Sequence, residues 1–265
     1  LDSAFPENKN TFYRSLRRSP ASTKTTQNSK LKTRNYKMSW FSKFLTSSIG
    51  QKTVMALTGI FLTLFLAVHL LGNLQLLQND DGEAFNIYAY FMTHNPLIKT
   101  VSYLLYASIL LHAVQGILLT RRNREARGEH SYAVTHTRSS ERASRSMAWL
   151  GIIIFVFIVL HMYQFWFQMH WGGLETVEYA NYPHPITDLY TLVEESYESL
   201  GFVIFYVVSM AVVGYHLWHG FWSSFQTLGL DHKKYTPLIK WIGAAYSVII
   251  PLLFAIIPIV MYLRG

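Results

Sequence analysis

From residue 53 onward the chain alternates long apolar runs with polar stretches. Five runs stand out: Thr53–Leu77, Leu97–Thr120, Met147–Trp171, Leu200–Ser223 and Leu238–Leu263. About 20 apolar residues, rising about 1.5 Å each in a helix, cross the hydrocarbon core of a bilayer. Each run therefore predicts a membrane-spanning helix. Pro251 and Pro258 in the last run read as kinks, which a membrane helix tolerates. Ahead of the first run, Trp40–Ser48 is short and amphipathic and is expected to lie along the membrane surface. Residues 1–37 are rich in Ser, Thr, Lys and Arg and hold no hydrophobic run, a composition that predicts disorder. Met38-Ser39-Trp40-Phe41 reads as a natural start, so this basic extension is expected to have no folded role and to stand outside the mature protein. A transit peptide and a partner-binding tail are the alternatives. The expected organisation is a disordered basic extension (1–37), an interfacial segment (38–52) and a five-helix transmembrane domain (53–265), an all-α membrane protein.

Charge gives the spans a direction. The stretch from Arg121 to Arg145 holds seven Arg, and Gln226 to Pro237 holds Lys233 and Lys234. Gln78 to Pro96 has no Lys or Arg but carries Asp80, Asp81 and Glu83. Gly172 to Ser199 also has none, and carries Glu175, Glu178, Asp188, Glu194, Glu195 and Glu198. Positive loops stay inside, so the N-terminus is expected inside and the C-terminus outside. The same distribution explains the net charge of +8 as a topology signal and argues against nucleic acid as a partner.

Only 14% of the 265 residues are charged, against about 25% in a soluble domain. The chain has no cysteine, which excludes disulfides, thiolate metal sites, iron–sulfur clusters and covalently attached c-type haem. Four of the five runs carry one histidine well inside: His69, His112, His161 and His216. Ionisable groups at that depth are rare and usually mark function. At 1.5 Å per residue from the inner edge, His69 lies ~24 Å up, His161 ~21 Å, His112 ~12 Å and His216 ~10 Å. The four sort into an outer layer, His69 with His161, and an inner layer, His112 with His216. Two imidazoles from different helices in each layer are what two bis-histidine haems require. Gly72, Gly116 and Gly220 share helix faces with His69, His112 and His216 and would let a macrocycle approach the backbone; His161 has Gln164 and Phe165 instead. Histidines that only pack the bundle, and a histidine-lined metal or proton pathway, are the competing readings. The spans hold no Asp or Glu, which disfavours the pathway. His219, three residues after His216, is a contact for a haem propionate or an alternative ligand. His94, His170 and His184 fall in or near the outer loops, and His130, His136 and His232 in the inner ones.

With these residues in place the chain resembles a known family: the single-chain, two-haem cytochrome b subunit of succinate:quinone oxidoreductases and fumarate reductases. The likeness runs from about Trp40 to Arg264. It rests on Phe65-Leu66-Ala67-Val68-His69-Leu70, His112-Ala113-Val114-Gln115-Gly116, Tyr215-His216-Leu217-Trp218-His219-Gly220-Phe221-Trp222, and Gly82-Glu83-Ala84-Phe85-Asn86 followed by Tyr90-Phe91-Met92. The form most similar is the bacterial succinate dehydrogenase cytochrome b.

The resemblance implies a five-helix bundle binding two haems b, with His69 paired to His161 and His112 to His216. It implies a multi-pass subunit of the bacterial inner membrane with a cytoplasmic N-terminus. Its partners would be a flavoprotein and an iron–sulfur subunit on the cytoplasmic face, surrounded by membrane lipid, and a higher oligomer of the complex is compatible with this. The succinate site would lie in the flavoprotein, and electrons would pass through both haems to a quinone, with menaquinone the expected one. The implied quinone site lies near the outer haem, which makes Glu83 and Asn86 candidate quinone-site residues and Gln164 and Trp166 weaker ones. Gly214 stands where some fumarate reductases of the family carry a proton-conducting Glu, so succinate oxidation is expected rather than fumarate reduction. The alternatives are the cytochrome b anchor of another quinone-linked dehydrogenase, or a haem-free transporter or scaffold.

Overall fold

The structure, a computed structural model, describes residues 39–127, 139–180 and 182–265, without the side chains of Phe41, Arg127 and 139–145. The basic extension 1–37, His130, His136 and Arg138 lie outside the described residues.

The described residues are mostly helical. Five helices are long and apolar enough to cross a membrane: Ser48–Leu77, Pro96–Ala126, Ser146–Trp171, Leu200–Thr227 and Thr236–Arg264. In chain order, α1 (Trp40–Thr46) precedes α2 (Ser48–Asn73), which closes in a 3₁₀ turn, Leu74–Leu77. Helix α3 (Glu83–His94) follows, then α4 (Pro96–Arg127) and α5 (Ser139–His161). A π-helical stretch, Met162–Phe167, continues α5 into α6 (Gln168–Trp171). Strands β1 (Thr176–Val177) and β2 (Ile186–Thr187) pair antiparallel, Val177 opposite Ile186. Helices α7 (Leu189–Tyr197), α8 (Leu200–Thr227) and α9 (Thr236–Arg264) complete the chain.

The bundle has a basic end and an acidic end. At the basic end, Ser47 closes α1 and caps α2, its hydroxyl accepting from Gly50 N–H at 3.0 Å. Arg122 at the end of α4 donates to Thr46 O at 3.1 Å. Arg121, Arg122 and Arg124 belong to the last turns of α4 and not to a loop. Arg142 and Arg145 likewise fall within α5, their side chains outside the described residues. The helices outrun their apolar stretches because Arg and Glu are good helix formers even in water, a continuation that an apolar count does not register.

The acidic end is built rather than looped. Gly82, in the left-handed region at φ +82°, leads into α3, and a side chain there would fall on the Tyr190 ring. Asp188 caps α7 by accepting from Thr191 N–H at 3.1 Å. Arg264 at the end of α9 donates to Leu77 O at 2.9 Å and ties the last span to the first.

Helix α8 packs along α9, and α2 along α4. The α8–α9 contact has a specific cause. Pro251 has no N–H, so the Ser247 carbonyl one turn earlier loses its intrahelical donor. Gly214 fills that place closely: a Cβ on it would sit 2.9 Å from Ser247 O. A side chain at Gly214 would therefore press on the α9 backbone. The buried core gathers toward the acidic end, where Leu70, Leu76, Phe157, Tyr197, Tyr206 and Ile257 meet.

Candidate functional site

The four span histidines come together in two pairs. His69 on α2 meets His161 at the end of α5 with ring centroids 5.8 Å apart and planes at 83°. His112 on α4 meets His216 on α8 at 6.3 Å and 70°. Residues with no sequence proximity, on four different spans, are thus placed ring to ring as their depths along the helices sort them. As whole residues all four histidines are half-buried.

The spacing can be tested against an iron held between two imidazoles. Metal–nitrogen bonds of about 2 Å on each side put two axial ring centroids roughly 6 Å apart, and both observed pairs suit that. Hydrogen bonding says which nitrogen is free. Thr58 Oγ1 lies 3.1 Å from His112 Nδ1. Its own proton goes to the Val54 carbonyl at 2.8 Å, so toward His112 it accepts. Tyr206 Oη lies 3.3 Å from His161 Nδ1 and donates to Gln164 Oε1 at 2.9 Å, so it too faces its histidine as an acceptor. In both cases this bonding suits a hydrogen on Nδ1 and a bare Nε2, the arrangement in which second-shell acceptors hold metal-ligating histidines. His69 differs: the Asn73 amide nitrogen lies 3.3 Å from its Nδ1 and donates to its carbonyl at 2.7 Å. His216 Nδ1 is buried with no hydrogen-bond partner among the described residues. Four imidazoles paired at these spacings suit two bis-histidine haems; at His69 the Asn73 amide, also 3.5 Å from Nε2, would have to turn away.

The small residues divide. Gly72 is covered by the ring of Tyr88, so α3 packing accounts for it and not a macrocycle. Gly116 and Gly220 face only the ends of Met55 and Met147, which would lie 3.3 and 3.8 Å from a Cβ at each glycine, and methionine ends move readily. His219 is half-buried, and the ring that meets His112 is that of His216.

Asn86 takes a different role from the expected one. It is 1% exposed and its amide is fully used: Nδ2 donates to Tyr179 Oη and Asp188 Oδ1, both at 2.9 Å, and Oδ1 accepts from Leu189 N–H at 3.0 Å and Tyr190 N–H at 2.9 Å. Two donors and two lone pairs are all an amide has, so nothing remains for a quinone. Asn86 clamps α3 to α7. Burial would raise the Asp188 carboxyl, but hydrogen bonds from Thr191 and Asn86 outweigh it and hold it below the ordinary value. Glu83 sits half-buried in the first turn of α3. Gln164 is engaged by Tyr206, and Trp166 Nε1 donates to Tyr106 Oη at 2.8 Å.

A cleft that sequence reasoning missed opens at the acidic end, about 360 Å³, walled by Tyr90, Thr93, His94, Lys99, Met169 and His170 among others. Glu83 and Asn86 do not line it. His94 stacks on Tyr90 at 3.8 Å. Its Nδ1–H goes to Tyr90 O at 2.9 Å, and His170 Nδ1–H to Trp166 O at 2.8 Å. Three histidines expected in or near the outer loops, His94, His170 and His184, cluster around this end, His184 lying 4.9 Å from the same Tyr90 ring. No protein-family model matches the chain, and no curated protein and no solved structure matches it.

Proposed function

We propose that this chain is the membrane-anchor cytochrome b of a succinate:quinone oxidoreductase. The observation that carries the reading is the pairing of four intramembrane histidines, one per span, at 5.8 and 6.3 Å. When bound, two haems b would supply reversible one-electron chemistry at two depths. His112 and His216 would hold the one nearer the basic end, His69 and His161 the one nearer the acidic end.

The basic end, with exposed Arg121, Arg122, Arg124, Lys233 and Lys234, is the side on which a flavoprotein and an iron–sulfur subunit would dock. Positive residues retain that end inside, which would place the N-terminus in the cytoplasm of a bacterial cell. The cleft walled by His94, Lys99 and His170 is within the usual volume of ligand sites, about 300–1,000 Å³. It replaces Asn86 as the place for a quinone head group, menaquinone being the quinone the resemblance implies. There His94 and His170 present unengaged Nε2 atoms that can take or give the protons of quinone chemistry.

The test is a reduced-minus-oxidised spectrum of the purified chain with haem counted per polypeptide. Two haems b are expected, falling to one in His112→Ala and in His161→Ala. A well-folded preparation without haem would sink the reading and return the histidines to packing or transport.

A further inference from the structure

His161 ends the regular turns of α5, and Met162–Phe167 is wound as a π-helix. Such segments are rare and are often found at functional sites. In this one Gln164 meets Tyr206 of α8, whose hydroxyl donates to Gln164 Oε1 at 2.9 Å. Tyr206 is 5% exposed and is hemmed in by the rings of Phe157, Phe165 and Tyr197 at 5.3 to 6.1 Å, so its ring is held in place and its hydroxyl is left with Gln164 and His161. A hydroxyl has one proton to give. With that proton spent on Gln164, the oxygen can only accept from His161 Nδ1, 3.3 Å away.

We propose that Gln164 and Tyr206 are positioning residues that fix the tautomer of His161, keeping the hydrogen on Nδ1 and Nε2 bare for a metal. The consequence for haem rests on the function proposed above; the tautomer does not. The arrangement differs from that at His112. Thr58 spends its proton on its own helix backbone, where no side-chain substitution can release it. Tyr206 spends its proton on a side chain of another helix, so Gln164 acts as the switch. Remove the Gln164 acceptor and the Tyr206 proton turns toward His161. Nδ1 then becomes the acceptor, the hydrogen moves to Nε2, and the ligating nitrogen is blocked.

Two variants separate this from packing. Gln164→Leu leaves Tyr206 free to donate and is expected to invert the tautomer. Gln164→Glu keeps an acceptor and is expected to preserve it. The measurement is nitrogen NMR of the full chain in detergent, labelled at histidine and produced without haem, with the His161 signals identified by their loss in His161→Gln. Wild type and Gln164→Glu should report a hydrogen on Nδ1, Gln164→Leu a hydrogen on Nε2, and His112 should be unchanged throughout. On haem titration, Gln164→Leu should lose about 10–100-fold in affinity at one of the two sites, and in Tyr206→Phe the potential of that haem alone should rise. Identical His161 signals in wild type and Gln164→Leu would overturn the assignment, even with two haems bound. The expected inversion in a chain that takes up no haem would uphold the positioning role and remove the cytochrome reading.

Discussion

The two histidine pairs are alike in spacing and unlike in surroundings. His69 and His161 sit in an aromatic box: Phe65 and Phe254 pack on His69 at 5.2 and 5.6 Å, and Phe165 and Phe157 on His161 at 5.4 and 5.7 Å. Asn73 and Tyr206 engage their ring nitrogens. His112 and His216 have no aromatic ring against them but each other among the described residues, and Thr58 engages the His112 Nδ1. On this side His216 Nδ1, Gln115 Oε1 and Gln51 Oε1 are buried without partners among the described residues, against Asp80 Oδ1 at the acidic end. A buried polar atom without a partner costs about 1–3 kcal/mol. The pair toward the acidic end is thus boxed in by protein rings, while the pair toward the basic end is packed against fewer of them and includes a His216 Nδ1 without a partner among the described residues.

That contrast makes its largest prediction under haem depletion. On the function proposed here, amide hydrogen exchange should accelerate most along α4 and the half of α8 around His216. The ends of α2 and α5 that carry His69 and His161 should stay protected. Equal loss of protection in both halves would erase the distinction. His216→Ala and His161→Ala sharpen it: each should remove one haem per chain, with His216→Ala also loosening the basic half.

Asn86 tests the rigid side. Asn86→Ala strands the Leu189 and Tyr190 N–H groups and removes a donor from Asp188. Each orphaned group costs about 1–3 kcal/mol, so thermal unfolding should drop clearly. The loss should be confined to α3, α7 and the hairpin. A quinone-site role without a structural one would instead leave stability intact, which a melting curve decides.

Gly214 comes next in size. Gly214→Ala brings a methyl to 2.9 Å from the Ser247 carbonyl, backbone that cannot give way cheaply. Overpacking of this kind costs about 1–3 kcal/mol, and the α8–α9 seam is the place it should appear. Denaturation of Gly214→Ala beside Gly201→Ala, whose nearest neighbour is Ser199 Oγ at 3.6 Å, provides the control. Similar losses in the two would refute the close-approach argument.

How much of this is legible in the sequence follows from the kind of signal each feature leaves. The five spans are, because twenty apolar residues in a row have few other uses. The pairing of the histidines is, because a helix converts sequence separation into depth. Helices α3 and α7 leave fainter signals: Phe85, Tyr88 and Met92 recur at helical spacing, and Asp188 stands as an N-cap before Leu189, Leu192 and Val193. Asn86 stands out in the sequence without revealing its role, because its partners, Tyr179 to Tyr190, lie about a hundred residues away and only folding brings them near. The π-helical turn after His161 leaves no pattern in the residues at all. The Tyr206–Gln164 bond joins residues of two different spans and is likewise invisible from sequence.

The smallest prediction concerns acid. Asp188 has its carboxyl held below its usual value of 3.8 because the folded chain presents Thr191 and Asn86 as donors to the ionised form. A group with a lowered folded value adds stability that is fully present above 3.8 and is lost as pH falls through the folded value. The Asp188 contribution to the acidic end should therefore be lost as pH falls below 3.8. Asp188→Asn should flatten that part of the melting-temperature profile and leave the neutral part slightly lower, since it keeps a capping oxygen but loses the charge. In the helices of the His112–His216 pair, α4 and α8, the one carboxylate is Glu125 in the last turns of α4, at the opposite end from Asp188, so exchange along α4 should not follow the Asp188 profile. If it did, the two layers would be one cooperative unit, and the difference in how their histidines are held would have no mechanical consequence.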